Sequence, residues 1–507
     1  MHLKKSLVIT YSAQIYSTII TLALTPILIS FVGAEGFGLI GFYLILQTWL
    51  QIFDAGVSGT LSRQIALSKA CKLSLKSFLK DFYRIYTLFA IISVIILLLG
   101  THFADAFSQH WFETNLSVEL VSFCVKSMIV TLSFKYLSGP LRSGLTGLEC
   151  HDVLGVFNLL YTTLRYPAGL LVLYLYDNSL KAYFSYQAII AIMEWTTLQI
   201  LFYVKSSQTM KEAKISAEPV ASSIKTLLIL SAQLSILSVL WVVVSQIDKL
   251  LLSGAMSLEE FGYYSLAVTI TGVIFTLNMP LNQVLMPRLT SLIANKNVTQ
   301  YSKLLINSSI LAAMLFVPFG VLLSLFGKEL VWAWTGNMKA AENTSQYVMW
   351  LAIGNIAAVF TNFAFLLQFT LKNLKKHVTA YAIYSAFIIP ITLAIVKHYS
   401  GEGTAILWMI HNCLFLILWG GYTFKHYLQG YFSSILIPTI FIIFAISLLI
   451  QSSFTTIIES FTSQRDFLFL FLAFTGLLCV SILLLARYLL NDRITILVRK
   501  ISLVTEK

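Results

Sequence analysis

Residues 7–32 read LVITYSAQIYSTIITLALTPILISFV, a run without a single charged side chain. Crossing the hydrocarbon core of a bilayer takes roughly 20 apolar residues as an α-helix. In lipid each backbone amide must find its partner inside the structure, so a continuous run of this length is a spanning helix. Lys4 and Lys5 stand just ahead of it, as in a secretory signal. The apolar part is too long for a cleaved leader and offers no small-residue cleavage site, so it reads as the first transmembrane helix.

The pattern repeats along the chain. Spans are expected at 7–32, 38–59, 85–103, 121–137, 153–176, 182–204, 227–252, 262–285, 304–326, 347–370, 378–396, 404–424, 432–450 and 467–486. The fold class is therefore an all-α polytopic membrane protein of about 14 transmembrane helices. Of the 507 residues 58% are hydrophobic and 11% charged, which is too little charge to cover a soluble domain. The formal charge of +12 does not point to nucleic acid, because the basic residues sit in short tracts between spans, where they act as topology signals. With Lys4 and Lys5 in the cytoplasm, roughly twenty-five Lys and Arg fall on that side and about four on the other. Both termini are then cytoplasmic, and the tail 487–507 is either an amphipathic segment on the inner leaflet or a solvated end. The cysteines, Cys71, Cys124, Cys150, Cys413 and Cys479, lie in none of the loops assigned to the oxidising side and form no metal motif.

An internal duplication organises the spans. Ser12-Ala13-Gln14 in the first matches Ser231-Ala232-Gln233 in the seventh. Gly33-Ala34-Glu35-Gly36-Phe37-Gly38 then matches Ser257-Leu258-Glu259-Glu260-Phe261-Gly262, and Arg63 matches Arg288. The long outer loops 101–118 and 327–346 hold equivalent places, and both carry Trp. Six spans per repeat is an even number, so the pseudo-two-fold axis runs along the membrane normal. The expected architecture is two pseudo-symmetric six-helix lobes, 1–210 and 211–428, facing a central cavity, followed by two C-terminal helices in 429–507. The last two helices face lipid or groove a lipid tail.

Polar stripes mark the helix faces turned from lipid. Tyr43, Gln47, Gln51 and Asp54 make one in the second span, and Lys135 and Arg142 share a face of the fourth. Lys126 points away from Lys135. In the fifth span Asn158, Thr162 and Arg165 align just before Pro167, and the seventh carries Ser245 and Lys249. An Arg at mid-span costs roughly 3 kcal/mol or more to bury, so Arg165 either lines a wet cavity or is ion-paired with Glu194 or Asp54. Lys135 and Arg142 line the same cavity or snorkel to the cytoplasmic face. Candidate cavity residues are Arg165, Lys135, Arg142, Lys249, Gln47, Gln51 and Asn158. Glu194, Asp54 and Asp248 are candidates for ion coupling, with His411 as a further titratable group, and Asp248 otherwise compensates Lys249. Arg63 and Arg288 are gating residues or positive-inside anchors.

No phosphate loop, H-E-x-x-H or G-x-S-x-G occurs, and no outer loop is large enough for a catalytic domain. The chain reads as a transporter rather than an enzyme. The stretch 32–39, leading through Phe53-Asp54-Ala55-Gly56-Val57 to Arg63, resembles the opening of bacterial O-antigen flippases. Gln246-Ile247-Asp248-Lys249, Glu260-Phe261-Gly262-Tyr263-Tyr264 and Met286-Pro287-Arg288 are similar to that family's seventh and eighth helices. These flippases form the polysaccharide-transporter branch of the multidrug/oligosaccharidyl-lipid/polysaccharide exporter superfamily.

The resemblance implies translocation of an undecaprenyl-diphosphate-linked oligosaccharide, the O-antigen repeat unit, across the bacterial inner membrane by alternating access. It also implies a proton or sodium ion as coupling ion, no other cofactor, membrane lipid as surroundings, and an O-antigen polymerase and chain-length regulator as partners. A peptidoglycan-precursor flippase, a drug or cation antiporter of the same superfamily, and an O-antigen polymerase or ligase are the alternatives.

Overall fold

The computed structural model describes residues 2–54, 61, 62, 64, 65, 72–212, 224–371, 373–460 and 464–489. Arg63, Cys71 and the tail beyond residue 489 lie outside these, as do the side chains of Gln51 and Asp54. The described residues are helical, apart from short connections and one isolated bridge between Glu113 and Ser257.

The helices are α1 (His2–Asp54), α2 (Lys72–Trp111), α3 (Val118–Gly147), α4 (His151–Arg165), α5 (Pro167–Leu175), α6 (Leu180–Glu212), α7 (Ile224–Ala255), α8 (Leu258–Ala294), α9 (Val298–Leu325), α10 (Gly327–Thr335), α11 (Met338–Thr370), α12 (Leu374–Phe415), α13 (Gly421–Tyr427), α14 (Ile437–Ser452), α15 (Thr455–Ser460) and α16 (Arg465–Leu489). Two π-helical turns, Leu416–Gly420 and Phe432–Leu436, flank α13. Among the described residues, 12 helical stretches are long and apolar enough to cross a membrane. Two of them hold a pair of expected spans each: α1 is broken at Gly33 (φ 71°), and the stretch Leu374–Tyr427 at Ser400 (φ 50°). Every span read from the sequence thus has its helix, and the chain is a multi-pass membrane protein.

The chain forms two compact units, Met1–Gly262 and Tyr263–Lys507. In the first, α3 packs along α2 and α6, while α1 packs against α4 and α7. The apolar centre of this unit includes Phe82, Leu141, Leu145, Phe157, Leu198 and Phe202, all buried. The fifth span departs from a single helix, because Pro167 ends α4 and starts α5 with Tyr166 between them. Proline has no amide to donate, and a helix interrupted in the membrane needs neighbours to take its freed carbonyls. Helix α6 supplies them: Gln187 Nε2 donates to the Arg165 carbonyl at 3.1 Å and Tyr186 Oη to that of Leu164 at 2.7 Å.

The outer ends of α1, α7 and α8 meet at glycines. A Cβ on Gly38 would strike the carbonyl oxygen of Leu258, and one on Gly262 the carbonyl oxygen of Ala34. Gly38 matches Gly262 in the repeat, and Ala34 matches Leu258. The two close approaches are therefore made by matching positions.

In the second unit α9 packs against α11 and α14, and α11 against α12. Interhelical polar bonds, worth about 0.6 kcal/mol each on average in membranes, join these helices. Trp408 Nε1 donates to Asn355 Oδ1 (2.8 Å), whose Nδ2 donates to the Thr271 carbonyl (3.0 Å). Gln451 Nε2 donates to the Pro318 carbonyl (2.9 Å). The outer stretch expected as a loop at 327–346 is instead helix α10 followed by the start of α11, the turn between them made by Gly336 at φ 68°. Arg465, at the start of α16, donates Nε and Nη2 to the carbonyls of Ala333 and Trp334, both at 2.9 Å, and so caps α10. The Arg465→Ala protein should lose about 1 kcal/mol, a value reduced by the exposure of the guanidinium. Its melting temperature should fall by a few degrees in detergent. An unchanged melting curve would mean that the C-terminal helices are held by apolar packing alone.

Candidate functional site

Three helices of the first unit bring charges together in its interior. Arg142 projects from α3, Arg165 from the end of α4 and Glu194 from α6. Arg142 Nη2 reaches Glu194 Oε1 at 2.5 Å, and Arg165 Nη2 reaches Glu194 Oε2 at 2.6 Å. The second donor edge of Arg142, Nη1, bonds Asn158 Oδ1 at 2.7 Å, and its guanidinium lies over the Phe157 ring. Lys135, two turns before Arg142 on α3, donates to Gln47 Oε1 on α1 at 2.8 Å and lies over the Tyr43 ring. The spacing 135, 142 and the spacing 43, 47 place each pair on one helix face.

The cluster is short of anions and of acceptors. Guanidinium stays protonated at any physiological pH, so one carboxylate answers two permanent cations. Arg165 is 9% exposed and Glu194 7%, so water does little of the balancing. Arg165 Nη1, Tyr43 Oη and Gln187 Oε1 are buried without a hydrogen-bond partner. Buried donors are seldom left so in native structures, and an orphan group marks a place for a ligand or water. Tyr43 and Arg165 stand next to one another here, close enough to interact electrostatically.

Of the residues read from the sequence, Arg165, Arg142, Lys135, Glu194, Asn158 and Gln47 come together in this cluster. Arg165 is ion-paired with Glu194, one of the two counter-ions read for it, and its guanidinium stands beside the Tyr43 hydroxyl. Lys249 and Asp248 form an ion pair on α7 (3.1 and 3.2 Å), with Lys249 also donating to the Ser245 carbonyl. Local compensation is thus realised there. Lys126 turns to Asp105, away from Lys135. Arg288 is exposed on α8. His411, in the second unit, pairs through Nδ1 with the Tyr384 hydroxyl. Gln187 was missed, although Tyr183, Gln187 and Glu194 share a face of α6 at i, i+4 and i+11, a polar stripe legible in the sequence.

The fold has known counterparts. The chain superposes on a solved structure of the lipid II flippase MurJ in an inward closed conformation with a TM-score of 0.67, at 14% identity, covering 96% of this chain and 100% of that one. An inward-facing multidrug resistance MATE family transporter of the MOP superfamily gives 0.59 at 14% identity, over 82% and 97%. A MOP superfamily transporter from Pyrococcus furiosus, described as having a binding pocket of reverse polarity, also gives 0.59 at 14% identity, over 83% and 95%. Among curated proteins no sequence matches. The family profile described as polysaccharide biosynthesis protein matches residues 3–293, more than half of the chain. The all-helical fold is therefore one that this chain shares with those transporters, and on the profile match the chain belongs to the polysaccharide biosynthesis protein family.

Proposed function

We propose that the protein is a flippase that carries an undecaprenyl-diphosphate-linked oligosaccharide, an O-antigen repeat unit, from the cytoplasmic to the periplasmic leaflet of a bacterial inner membrane. The observation that carries this reading is the Arg142–Arg165–Glu194 cluster with its unanswered positive charge and the unpartnered Arg165 Nη1. A diphosphate is a multiply charged acceptor whose pairs of non-bridging oxygens match the planar donor fork of a guanidinium group. Tyr43, Gln187 and Asn158 offer neutral hydrogen bonds alongside, which suit the phosphate's non-bridging oxygens or the first sugar. Such a headgroup cannot be moved bare through hydrocarbon, because burying its charge is prohibitive. A cavity opened alternately to the two sides, with both termini cytoplasmic, is the mechanism that avoids this cost. Export is driven by a proton or sodium gradient acting through an embedded carboxylate, and the released repeat units pass to a polymerase and its chain-length regulator.

The family membership supports a saccharide cargo, and the cationic cluster disfavours the organic cations of drug antiporters. A peptidoglycan-precursor flippase is the second reading, favoured by the superposition on MurJ over nearly the whole chain. Deleting the gene in its host and treating intact and opened cells with a membrane-impermeant sugar-modifying reagent tests the proposal. Complete O-antigen repeat units should accumulate where only opened cells react. Trapped peptidoglycan precursor would select the second reading, and single units exposed outside without polymer would reassign the chain to the polymerases or ligases. Collapsing the proton and sodium gradients together should stop export, and a rate unaffected by both would remove the cation coupling.

A further inference from the structure

The end of the first unit that the charge pattern places outside is crossed by a short strap, Trp111 to Asn115, which starts at the last residue of α2 and continues as a non-helical connection toward α3. It makes directed bonds to both sides. Toward the hairpin of the first repeat, Thr114 Oγ1 donates to Glu35 Oε2 (2.9 Å), and Asn115 donates its Nδ2 (2.9 Å) and backbone amide (3.2 Å) to Glu35 Oε1. Toward the hairpin between α7 and α8, Trp111 Nε1 donates to Ser253 Oγ (3.0 Å), and the Glu113 carbonyl accepts from the Leu258 amide (2.8 Å) in the bridge that pairs Glu113 with Ser257. Gly254 lets the indole in, since a Cβ there would meet the Trp111 ring. Below the strap, Phe42, Phe107 and Phe112 pack edge-on and stacked, with Phe107 stacked on Trp111.

The two hairpins joined in this way are equivalent in the duplication, and beneath the strap they touch backbone to backbone at Gly38 and Gly262. A movement that parted those glycines would have to release Trp111 to Asn115 from Glu35 on one side or from Ser253 to Leu258 on the other. The grip is made of single hydrogen bonds, half-exposed at Glu35 and Thr114 and exposed at Asn115. Water competes for such bonds, so the strap is of a strength that releases and re-forms rather than one that fixes.

We propose that Trp111–Asn115 is the latch of the outer mouth and that Glu35 is its catch. The proposal rests on the transporter reading but not on the identity of the cargo. The experiment uses full-length protein with its native cysteines replaced and Met256, 5% exposed beside the strap, changed to Cys as a reporter. Reaction with a polar maleimide is followed in detergent. Glu35→Ala should speed labelling by about tenfold or more, and Thr114→Val, which removes one of the three bonds to Glu35 together with the local bond from the Leu116 amide, by a smaller factor; the second variant covers misfolding of the first. In a separate protein, oxidising the pair Glu113→Cys and Ser257→Cys should stop export in cells, with dithiothreitol restoring it. Labelling unchanged in both strap variants, or undiminished export with the disulfide closed, would overturn the latch. The maleimide arm needs no cargo, so its outcome stands apart from a failure of the O-antigen reading.

Discussion

Arg165→Ala is expected to reduce export of the lipid-linked cargo by at least about a hundredfold, the loss of a buried, charge-assisted contact with a phosphate. The same change takes one cation from Glu194, and breaking a buried pair by removing one partner costs about 3–5 kcal/mol. Lower export from the single variant would therefore be ambiguous on its own. The double variant Arg165→Ala, Glu194→Gln resolves it, because it removes one cation and the shared carboxylate together and leaves only Arg142, a third exposed and still bonded to Asn158. That protein should insert and melt near the parent while export stays abolished. Recovery of export in the double variant would make Arg165 a structural ion-pair residue and leave the substrate reading without its central contact.

Glu194→Gln alone should act in the opposite direction on binding. The Glu194 carboxylate occupies both guanidinium groups, so it is the anion that any incoming phosphate must displace. With a neutral amide in its place, Arg142 and Arg165 repel each other across a few ångströms, and the empty protein should melt lower. Inorganic pyrophosphate should then raise the melting temperature markedly more than it does in the parent, with about a tenfold tighter apparent binding, corresponding to about 1.4 kcal/mol. Export should nevertheless fall, because an anion with no internal competitor is released slowly. If pyrophosphate shifts parent and variant equally, the carboxylate does not share a site with phosphate.

The membrane helices were legible because lipid imposes one rule on every residue they contain: an apolar run of spanning length has no other stable conformation. The breaks were less so. Pro167 announced a kink, yet Pro140 and Pro318 sit inside unbroken α3 and α9, since neighbouring side chains decide whether a proline bends a helix or divides it. The outer stretch 327–346 looked like a loop because its charges and tryptophans suppress hydropathy. Its helix α10 is instead held by packing and by the Arg465 cap, a contact 132 residues away that no local pattern encodes.

At the site, periodicity within one helix placed Lys135 with Arg142 and Asn158 with Arg165, but the pairing of Glu194 with both arginines depends on which helices touch. That information is tertiary. The strap was equally hidden, because Trp111 to Asn115 is a polar connection whose partners lie in two hairpins far apart in the chain.

The divided fifth span has a consequence for how the protein is made. Its stretch His151–Leu175 has a mean hydropathy of 1.2, against 2.8 for Arg465–Leu485. It carries Arg165 at a depth where an unpaired charge costs about 2.5–3.5 kcal/mol during insertion. The compensating carboxylate lies 29 residues further on, and Tyr186 and Gln187, the side chains that satisfy the broken helix, each lie 22 residues beyond the carbonyl they bond. When this segment leaves the ribosome, none of these groups has yet emerged from the exit tunnel. It therefore waits at the insertion machinery or at the membrane surface and enters together with α6, so that the charged hairpin, rather than the single helix, is the unit of assembly.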